Sequence, residues 1–222
     1  TRRAKKKRDI LLMNVCHDLN FLFQFIDTKK IAHVSLRMVQ ITLSNGLCCM
    51  SPLAFAQFAI ILIKNEEYGL GYRLGTLSLR LLDKINAQRY TSAVVALVGT
   101  LVSWVAEPLQ SITESHLLGY KYGLRNGDSI SSTLNYQFYL QINYLTGQNL
   151  TSSRDKCREF ALQLVQRKQK FLLNGACCLY LQTVALIHGL EFKEEGNGVE
   201  KLPSWGDIAK SRTGTHLDFS LV

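Results

Sequence analysis

The feature that most constrains the fold of this chain is a set of polar or glycine-containing breaks that recurs about every 41 residues. One series comprises Asn65-Glu66, Ala106-Glu107-Pro108, Gly147-Gln148 and Gly189, and a second series, lying between them, comprises Asn45-Gly46, Asn86-Ala87, Asn126-Gly127 and Lys168-Gln169. Asn and Gly suit helix C-termini because they tolerate the left-handed backbone conformation that ends many helices. The two interleaved series therefore predict alternating helices of about 16 to 20 residues, in a repeat architecture.

Charge separates the predicted helices into two kinds. Four segments contain no Asp, Glu, Lys or Arg, namely Ser51 to Ile63, Tyr90 to Ala106, Ser129 to Gly147 and Phe171 to Ile187. The intervening helices are amphipathic, with apolar residues on one face, as at positions 70, 74, 77 and 81. One helical layer should therefore face water, and the other should be covered on more than one side.

The predicted fold is all-α. We expect a right-handed antiparallel array of about four helix hairpins, similar to a tetratricopeptide (TPR) α-solenoid, with a period of about 41 residues. The array spans residues 9–190, after a basic arm at residues 1–8 and before residues 191–222, which are rich in Gly and charge and form a flexible tail or the start of a further repeat. Gly71 and Gly75 lie one helical turn apart, as do Gly119 and Gly123, and these small positions should let neighbouring helices approach closely.

No motif for catalysis, a cofactor or a metal is present in the sequence. GLGYRLG, from Gly69 to Gly75, lacks the strand and the spacing of a dinucleotide fingerprint. The five histidines do not form an H-x-x-x-H pair, and no C-x-x-C spacing indicates zinc. The six cysteines lie in or beside helical patterns, which predicts buried reduced thiols and a cytoplasmic location. We therefore expect a non-catalytic protein, and the alternative is a helical enzyme or ligand-binding protein with a pocket between helices.

The formal charge of +9 suggests nucleic acid as a partner until the charges are located. Six basic residues lie between Thr1 and Arg8, which leaves +3 for the rest of the chain. A nucleic-acid-binding protein that uses this arm is a further alternative, less favoured than a solvated terminus. The best candidate for a membrane span, Thr91 to Ala106, is shorter than the roughly 20 residues that a helix needs to cross a bilayer, so a membrane protein is not expected.

Several packing motifs resemble one known group of proteins. They are SPLAFA at Ser51–Ala56, GYRLGTLSL at Gly71–Leu79, WVAEPL at Trp104–Leu109, GLRNGD at Gly123–Asp128 and YLTG at Tyr144–Gly147. Together they resemble the TPR-like region of very large predicted AAA-type ATPases and multi-sensor Ser/Thr and histidine kinases, over about Lys29 to Leu190. The resemblance implies an interaction and regulatory segment of a larger signalling protein. It carries over no active-site residue, because no Walker or kinase motif is present.

The functional expectation is therefore that the chain binds protein, either a signalling partner or other domains of a parent chain. If the amphipathic helices line the binding surface, their basic side chains are the candidate contacts for acidic groups of that partner. The candidates are Arg73, Arg80, Lys121, Arg125 and Arg158. No catalytic, cofactor-binding or metal-binding residue is predicted.

Overall fold

The computed structural model describes residues 7–169 and eight further helical positions between 173 and 187. Every element of regular secondary structure in this described part is a helix, which confirms the all-α prediction. The α-helices are α1 (Lys7–Ile26), α2 (Thr28–Asn45), α3 (Ser51–Lys64), α4 (Tyr68–Lys84), α5 (Thr91–Leu101), α6 (Leu109–Asn126), α7 (Ser129–Leu145) and α8 (Leu150–Gln166). Short 3₁₀ turns, Gln88–Tyr90 and Ser103–Val105, flank α5.

Every predicted break within residues 7–169 falls between helices or at a helix end, and the break at Gly189 lies outside the described residues. Backbone φ is positive at one residue of almost every break, namely Gly46, Glu66, Asn86, Gly127, Gly147 and Lys168. Gly127 shows the mechanism most clearly. It adopts the left-handed conformation, with φ 72° and ψ 14°, and its N–H donates to the carbonyl of Gly123, which satisfies a carbonyl at the end of α6.

One predicted helix ends early. The uncharged segment Tyr90 to Ala106 is not a single helix, because α5 stops at Leu101 and a 3₁₀ turn follows. Its sequence is rich in valine and contains Gly99, residue types with a lower helix propensity than alanine. Val102, with φ −124°, leaves the helix, and the chain turns before Pro108, which cannot occupy a helix interior.

The chain divides into two compact units, Thr1–Tyr139 and Leu140–Val222. In the first unit α1 packs on α2, α2 on α3, and α5 on α6, while α3 also contacts α4 and α5. The helix α3, which is uncharged from Ser51 to Ile63, is covered on several sides, as predicted: its residues from Ser51 to Ala56 are all buried, as are Ala59 and Ile63. Each large apolar side chain that is buried in this way contributes about 1.5–3 kcal/mol to the free energy of folding.

The second helix of each pair buries the same positions. The helices α2, α4, α6 and α8 begin at residues 28, 68, 109 and 150, at intervals of 40, 41 and 41. Counted from the first residue of each helix, positions 8, 11 and 15 are buried in all four helices. These positions hold Ser35, Met38 and Thr42 in α2, Gly75, Ser78 and Leu82 in α4, His116, Gly119 and Gly123 in α6, and Cys157, Phe160 and Leu164 in α8. The positions that lie opposite the buried ones, and so face outward, are therefore the same in all four helices.

Gly71 and Gly75 of α4 and Gly119 of α6 lie where neighbouring side chains approach closely. A Cβ atom added at Gly71 would lie 2.7 Å from Cδ1 of Ile63, and one added at Gly75 would lie 2.8 Å from Cγ1 of Val102. In α6, a Cβ at Gly119 would lie 2.7 Å from Oδ1 of Asn135. Such distances are well below a van der Waals contact, so the predicted packing role of these glycines is confirmed.

Candidate functional site: the outward faces of α4 and α6

The five basic residues predicted to contact a partner are all exposed. Arg73 and Arg80 lie on α4, Lys121 and Arg125 lie on α6, and Arg158 lies on α8. The first four belong to the first compact unit, and Arg158 belongs to the second. The candidate site in the first unit is therefore formed by α4 and α6.

A short motif recurs on the outward faces of α4 and α6. Leucine, a basic residue and a second basic residue occupy positions 10, 13 and 17 of each helix. The residues are Leu77, Arg80 and Lys84 in α4, and Leu118, Lys121 and Arg125 in α6. At 100° per residue these positions lie on the side opposite the buried positions 8, 11 and 15. We call this pattern the Leu-basic motif.

The motif was only partly recognised from the sequence. The sequence analysis assigns no function to the leucines Leu77 and Leu118, which are 42% and 52% exposed in the structure. Lys84 was also missed. The helical pattern of Leu77 suggested a core residue, because positions 70, 74, 77 and 81 can share an apolar face. In the structure Leu81 is buried but Leu77 is exposed, so the buried face of α4 does not include position 77. Comparing equivalent positions of α4 and α6 could have revealed the motif.

The basic side chains of these faces are not engaged by carboxylates. Among the described residues only two ion pairs form, Lys30 with Asp27 at 3.6 Å and Arg154 with Asp155 at 2.9 Å. Arg73 donates a hydrogen bond from Nε to the carbonyl of Gly69 in its own helix, at 3.2 Å. The cations of the Leu-basic motif are therefore available to an external anion at no cost of breaking an internal pair.

A hydrogen bond connects α4 to the segment that leads into α6. The hydroxyl of Tyr72 donates to Oε1 of Glu107 at 3.1 Å, and Glu107 lies two residues before α6 begins. Desolvation and this hydrogen bond raise the pKa of Tyr72, whereas the positive charge of Arg80 acts in the opposite direction. This hydrogen bond links the N-terminal part of α4 to the segment that precedes α6.

A buried polar group lies on the inner side of α6. His116, Asn135 and Ser92 are each fully buried and come from α6, α7 and α5. Nδ2 of Asn135 donates to the carbonyl oxygens of Ser92 and Ser131, both at 2.8 Å. Because these two carbonyls can only accept, they fix the orientation of the amide, and Oδ1 of Asn135 must be the acceptor that faces Nδ1 of His116 at 2.9 Å.

Nδ1 of His116 therefore carries a proton, which it donates to Asn135. Nε2 is buried and has no hydrogen-bond partner among the described residues. Burial lowers the pKa of His116, and the hydrogen bond with Asn135 opposes that effect only in part. The neighbouring Glu114 and Ser115 are exposed while His116 is buried, so the three do not converge into an acid-base site. The group connects three helices and has no access to solvent.

A second buried amide connects the first three helices. Nδ2 of Asn20 in α1 donates to Oε1 of Gln57 in α3 at 2.7 Å and to Oγ of Ser35 in α2 at 3.1 Å. The sequence analysis predicts no role for Asn20 or Asn135. An asparagine in the middle of an apolar helix was the available signal, because such a side chain is buried only when it is hydrogen-bonded.

The cysteines agree only in part with the prediction of buried thiols. Cys16 and Cys157 are buried, Cys48 is half-buried, and all the described cysteines are unbridged. The prediction is wrong for Cys49, which is exposed because it lies in the turn between α2 and α3. Desolvation raises the pKa of Cys157 to about 11. The second vicinal pair, Cys177 and Cys178, lies outside the described residues.

Comparison of the sequence with protein-family models, with curated proteins and with solved structures finds no match. Within the part of the chain that the structure describes, no helix combines the length and the hydropathy that a membrane span requires. The same described part contains no group of three or more His, Cys, Asp and Glu side chains placed to hold a metal ion.

Proposed function

We propose that this chain is a non-catalytic interaction module that binds an acidic, partly apolar segment of a protein through the outward faces of α4 and α6. The observation that carries the proposal is the Leu-basic motif, which occurs at the same register on two successive outward faces. A solvated surface needs no such repetition. A linear partner that contacts α4 and then α6 would contact one leucine and two cations on each helix.

The proposal includes a TPR-like α-solenoid with a period of about 41 residues. The equal register of buried positions in α2, α4, α6 and α8 supports it, as do the intervals of 40, 41 and 41 between the starts of these helices. The packing of α3 against both α4 and α5 is the arrangement in which each hairpin contacts its neighbour. Arrays of this kind use extended surfaces for binding, which fits a linear partner.

The expected affinity is modest. An exposed charge pair contributes about 0.2–1 kcal/mol, and burying a leucine fully contributes about 1.5–3 kcal/mol. Four cations and two half-exposed leucines therefore supply a limited gross gain, from which the entropy of association must be subtracted. We expect dissociation constants in the micromolar range or weaker, and a strong dependence on salt.

The wider setting in this proposal is a cytoplasmic signalling protein with an AAA-type ATPase domain. The resemblance of the packing motifs at Ser51–Ala56 and Trp104–Leu109 is its support. In such a protein the array would bind either an acidic signalling partner or an acidic segment of the parent chain. Arg158 on α8, in the second compact unit, is a separate candidate contact for an acidic partner.

The test uses a labelled amphipathic peptide with glutamate on one side and leucine on the other, and measures fluorescence anisotropy at about 50 mM and about 300 mM salt. The variant Arg80→Glu with Lys121→Glu should weaken binding at low salt at least about tenfold, which corresponds to about 1.4 kcal/mol. The matched control, Lys29→Glu with Lys156→Glu, makes the same change of net charge at exposed positions outside the motif. It should bind as the unmodified chain does.

Two further probes separate the proposal from its alternatives. A polyglutamate peptide without leucine should bind more weakly than the amphipathic peptide, and vesicles with anionic lipid should not compete. Equal loss of binding in the control variant, no binding of the peptide by the unmodified chain, or preference for the vesicles would each overturn the proposal.

A further inference from the structure

Two helices of the first compact unit end in the same dipeptide, an asparagine followed by a glycine. Asn45 is the last residue of α2, and Gly46 follows it. Asn126 is the last residue of α6, and Gly127 follows it. Both asparagines are exposed, and in each pair the glycine N–H donates a hydrogen bond to a carbonyl in the last turn of its helix. The two pairs therefore form a matched comparison within one chain.

An asparagine that precedes a glycine can react with its own backbone. The backbone nitrogen of the glycine attacks Cγ of the asparagine side chain, and the proton of that nitrogen leaves with the side-chain NH₂ as ammonia. A five-membered succinimide ring results. Water then opens the ring at either carbonyl and leaves aspartate or isoaspartate, so the reaction consumes one water and releases one ammonia. Glycine favours the attack because it has no Cβ to obstruct the nitrogen and allows many backbone conformations.

The structure restrains Asn126 from this reaction. Its Nδ2 donates to the carbonyl of Gln88 at 3.1 Å, in the 3₁₀ turn before α5. A further backbone hydrogen bond closes the end of α6, from the N–H of Asp128 to the carbonyl of Gly123 at 2.9 Å. Attack on Cγ requires the side chain to rotate and the helix end to open locally, so these hydrogen bonds must break first.

Asn45 lacks these restraints. Its side chain forms no hydrogen bond with any residue that the structure describes. Gly46 leaves α2 in an open conformation, with φ 99° and ψ 172°, whereas Gly127 forms a compact left-handed turn. The hydrogen bond from the N–H of Gly46 to the carbonyl of Thr42, at 3.0 Å, closes the end of α2. The backbone nitrogen and Cγ can therefore meet at Asn45 after a smaller local opening than at Asn126.

We propose that Asn45 is a modification site of this chain, at which spontaneous deamidation yields aspartate and isoaspartate, while the hydrogen bonds at the end of α6 protect Asn126. The reaction adds a negative charge at the C-terminal end of α2, where the helix dipole disfavours it. Isoaspartate also adds a methylene group to the main chain just before the turn into α3. Ser51 fixes that turn, because its Oγ accepts from the N–H of Cys48 at 2.9 Å and lies 3.2 Å from Oγ1 of Thr42. Deamidation of Asn45 therefore loosens the junction of α2 and α3.

The test is incubation of the full chain in alkaline buffer, followed by proteolysis and peptide mass spectrometry. In the folded chain the Asn45 peptide should convert at least about tenfold faster than the Asn126 peptide, which corresponds to about 1.4 kcal/mol, the size of one net hydrogen bond. In urea, where both helix ends are open, the two rates should be similar. The other Asn-Gly pairs of the sequence, Asn174-Gly175 and Asn197-Gly198, lie outside the described residues and fall in separate peptides.

Two further measurements identify the cause. Asn45→Gln should abolish the faster conversion, because glutamine would have to close a less favourable six-membered ring, and the Asn126 peptide should convert as before. Hydrogen exchange followed by NMR should show the amide of Gly46 exchanging faster than that of Gly127, since the reaction depends on local opening. In the incubated chain the amide of Cys48 should exchange faster than in fresh chain.

Several results would overturn the proposal. They are equal or faster conversion of Asn126 in the folded chain, conversion of Asn45 only in urea, and an amide of Gly127 that exchanges as fast as that of Gly46. The first or the third would mean that the hydrogen bond to Gln88 does not restrain Asn126. The second would mean that the end of α2 is as well protected as the end of α6.

Discussion

The close approach of α6 to its neighbours can be tested by a single added carbon atom. Gly123 faces α7 and α5, and a Cβ atom at this position would lie 2.6 Å from Cβ of Ser132, 2.6 Å from Oγ of Ser92 and 2.9 Å from Cα of Ser132. The Ser92 hydroxyl can rotate away. Neither Cβ nor Cα of Ser132 can, because both are fixed by the backbone of α7, so Gly123→Ala requires the helices to separate.

The size of the effect follows from two opposing contributions. Replacing glycine by alanine inside a helix stabilises it by roughly 0.5–1 kcal/mol. Overpacking a well-filled interior costs about 1–3 kcal/mol, and a contact with backbone atoms belongs near the upper end of that range. We therefore expect Gly123→Ala to lower the free energy of unfolding by about 2 kcal/mol. Gly69 supplies the control, since a Cβ there meets nothing within 4 Å.

The assay is urea denaturation followed by circular dichroism, with the slope of the transition compared between variants. Gly69→Ala should raise the free energy of unfolding by up to about 1 kcal/mol, which separates the two variants by about 3 kcal/mol. Gly75→Ala should lie between them, because its nearest contact is a side-chain methyl of Val102 that can shift. Gly123→Ala as stable as the unmodified chain would refute the close approach of α6 to α7.

Two further predictions concern titratable groups. Because burial lowers the pKa of His116 in the folded chain, the unfolded chain binds more protons below about pH 6.5, and the free energy of unfolding should fall as the pH drops through that value, by up to about 1.4 kcal/mol per pH unit. His116→Gln keeps a donor for Asn135 but does not titrate, so its stability profile should be flatter, and an unchanged profile would exclude His116 as the cause. Burial raises the pKa of Cys157 to about 11, so at pH 8 iodoacetamide should modify Cys157 at least about 100-fold more slowly in the folded chain than in urea, as measured by peptide mass spectrometry. Equal rates would mean that Cys157 is accessible in the folded state.

The helical boundaries could be predicted because they depend on local signals. The Asn126-Gly127 break ends α6 through the backbone conformation of one glycine, and a sequence displays such a residue directly. The end of α5 could not be predicted in this way. Leu101 and Val102 carry no stop signal, yet the helix ends there, at a backbone φ of −124° for Val102.

The candidate surface was predicted less completely than the fold. Basic residues such as Arg80 and Lys121 are exposed on almost any amphipathic helix, so their exposure was a safe prediction. The exposure of Leu77 and of apolar residues of α1 such as Leu11 and Ile26 was not. An apolar side chain is buried only if another helix packs against its side of the helix. Because α1 is apolar on nearly all sides, its sequence does not show which side packs against another helix.

The hydrogen bonds of Asn135 have a consequence for how the helices find their partners during folding. Apolar helices without charges can pack against one another in many alignments, because surfaces of leucine, valine and alanine discriminate little between apolar packing partners. Sliding α7 by a single turn, about 5.4 Å, would carry the Asn135 amide away from the Ser92 carbonyl and from His116. Each polar atom left unpaired in the interior would cost about 1–3 kcal/mol. The hydrogen bonds of one asparagine thus distinguish the native alignment of α7 against α5 and α6 from alignments shifted by a turn, which apolar packing alone would leave close in energy.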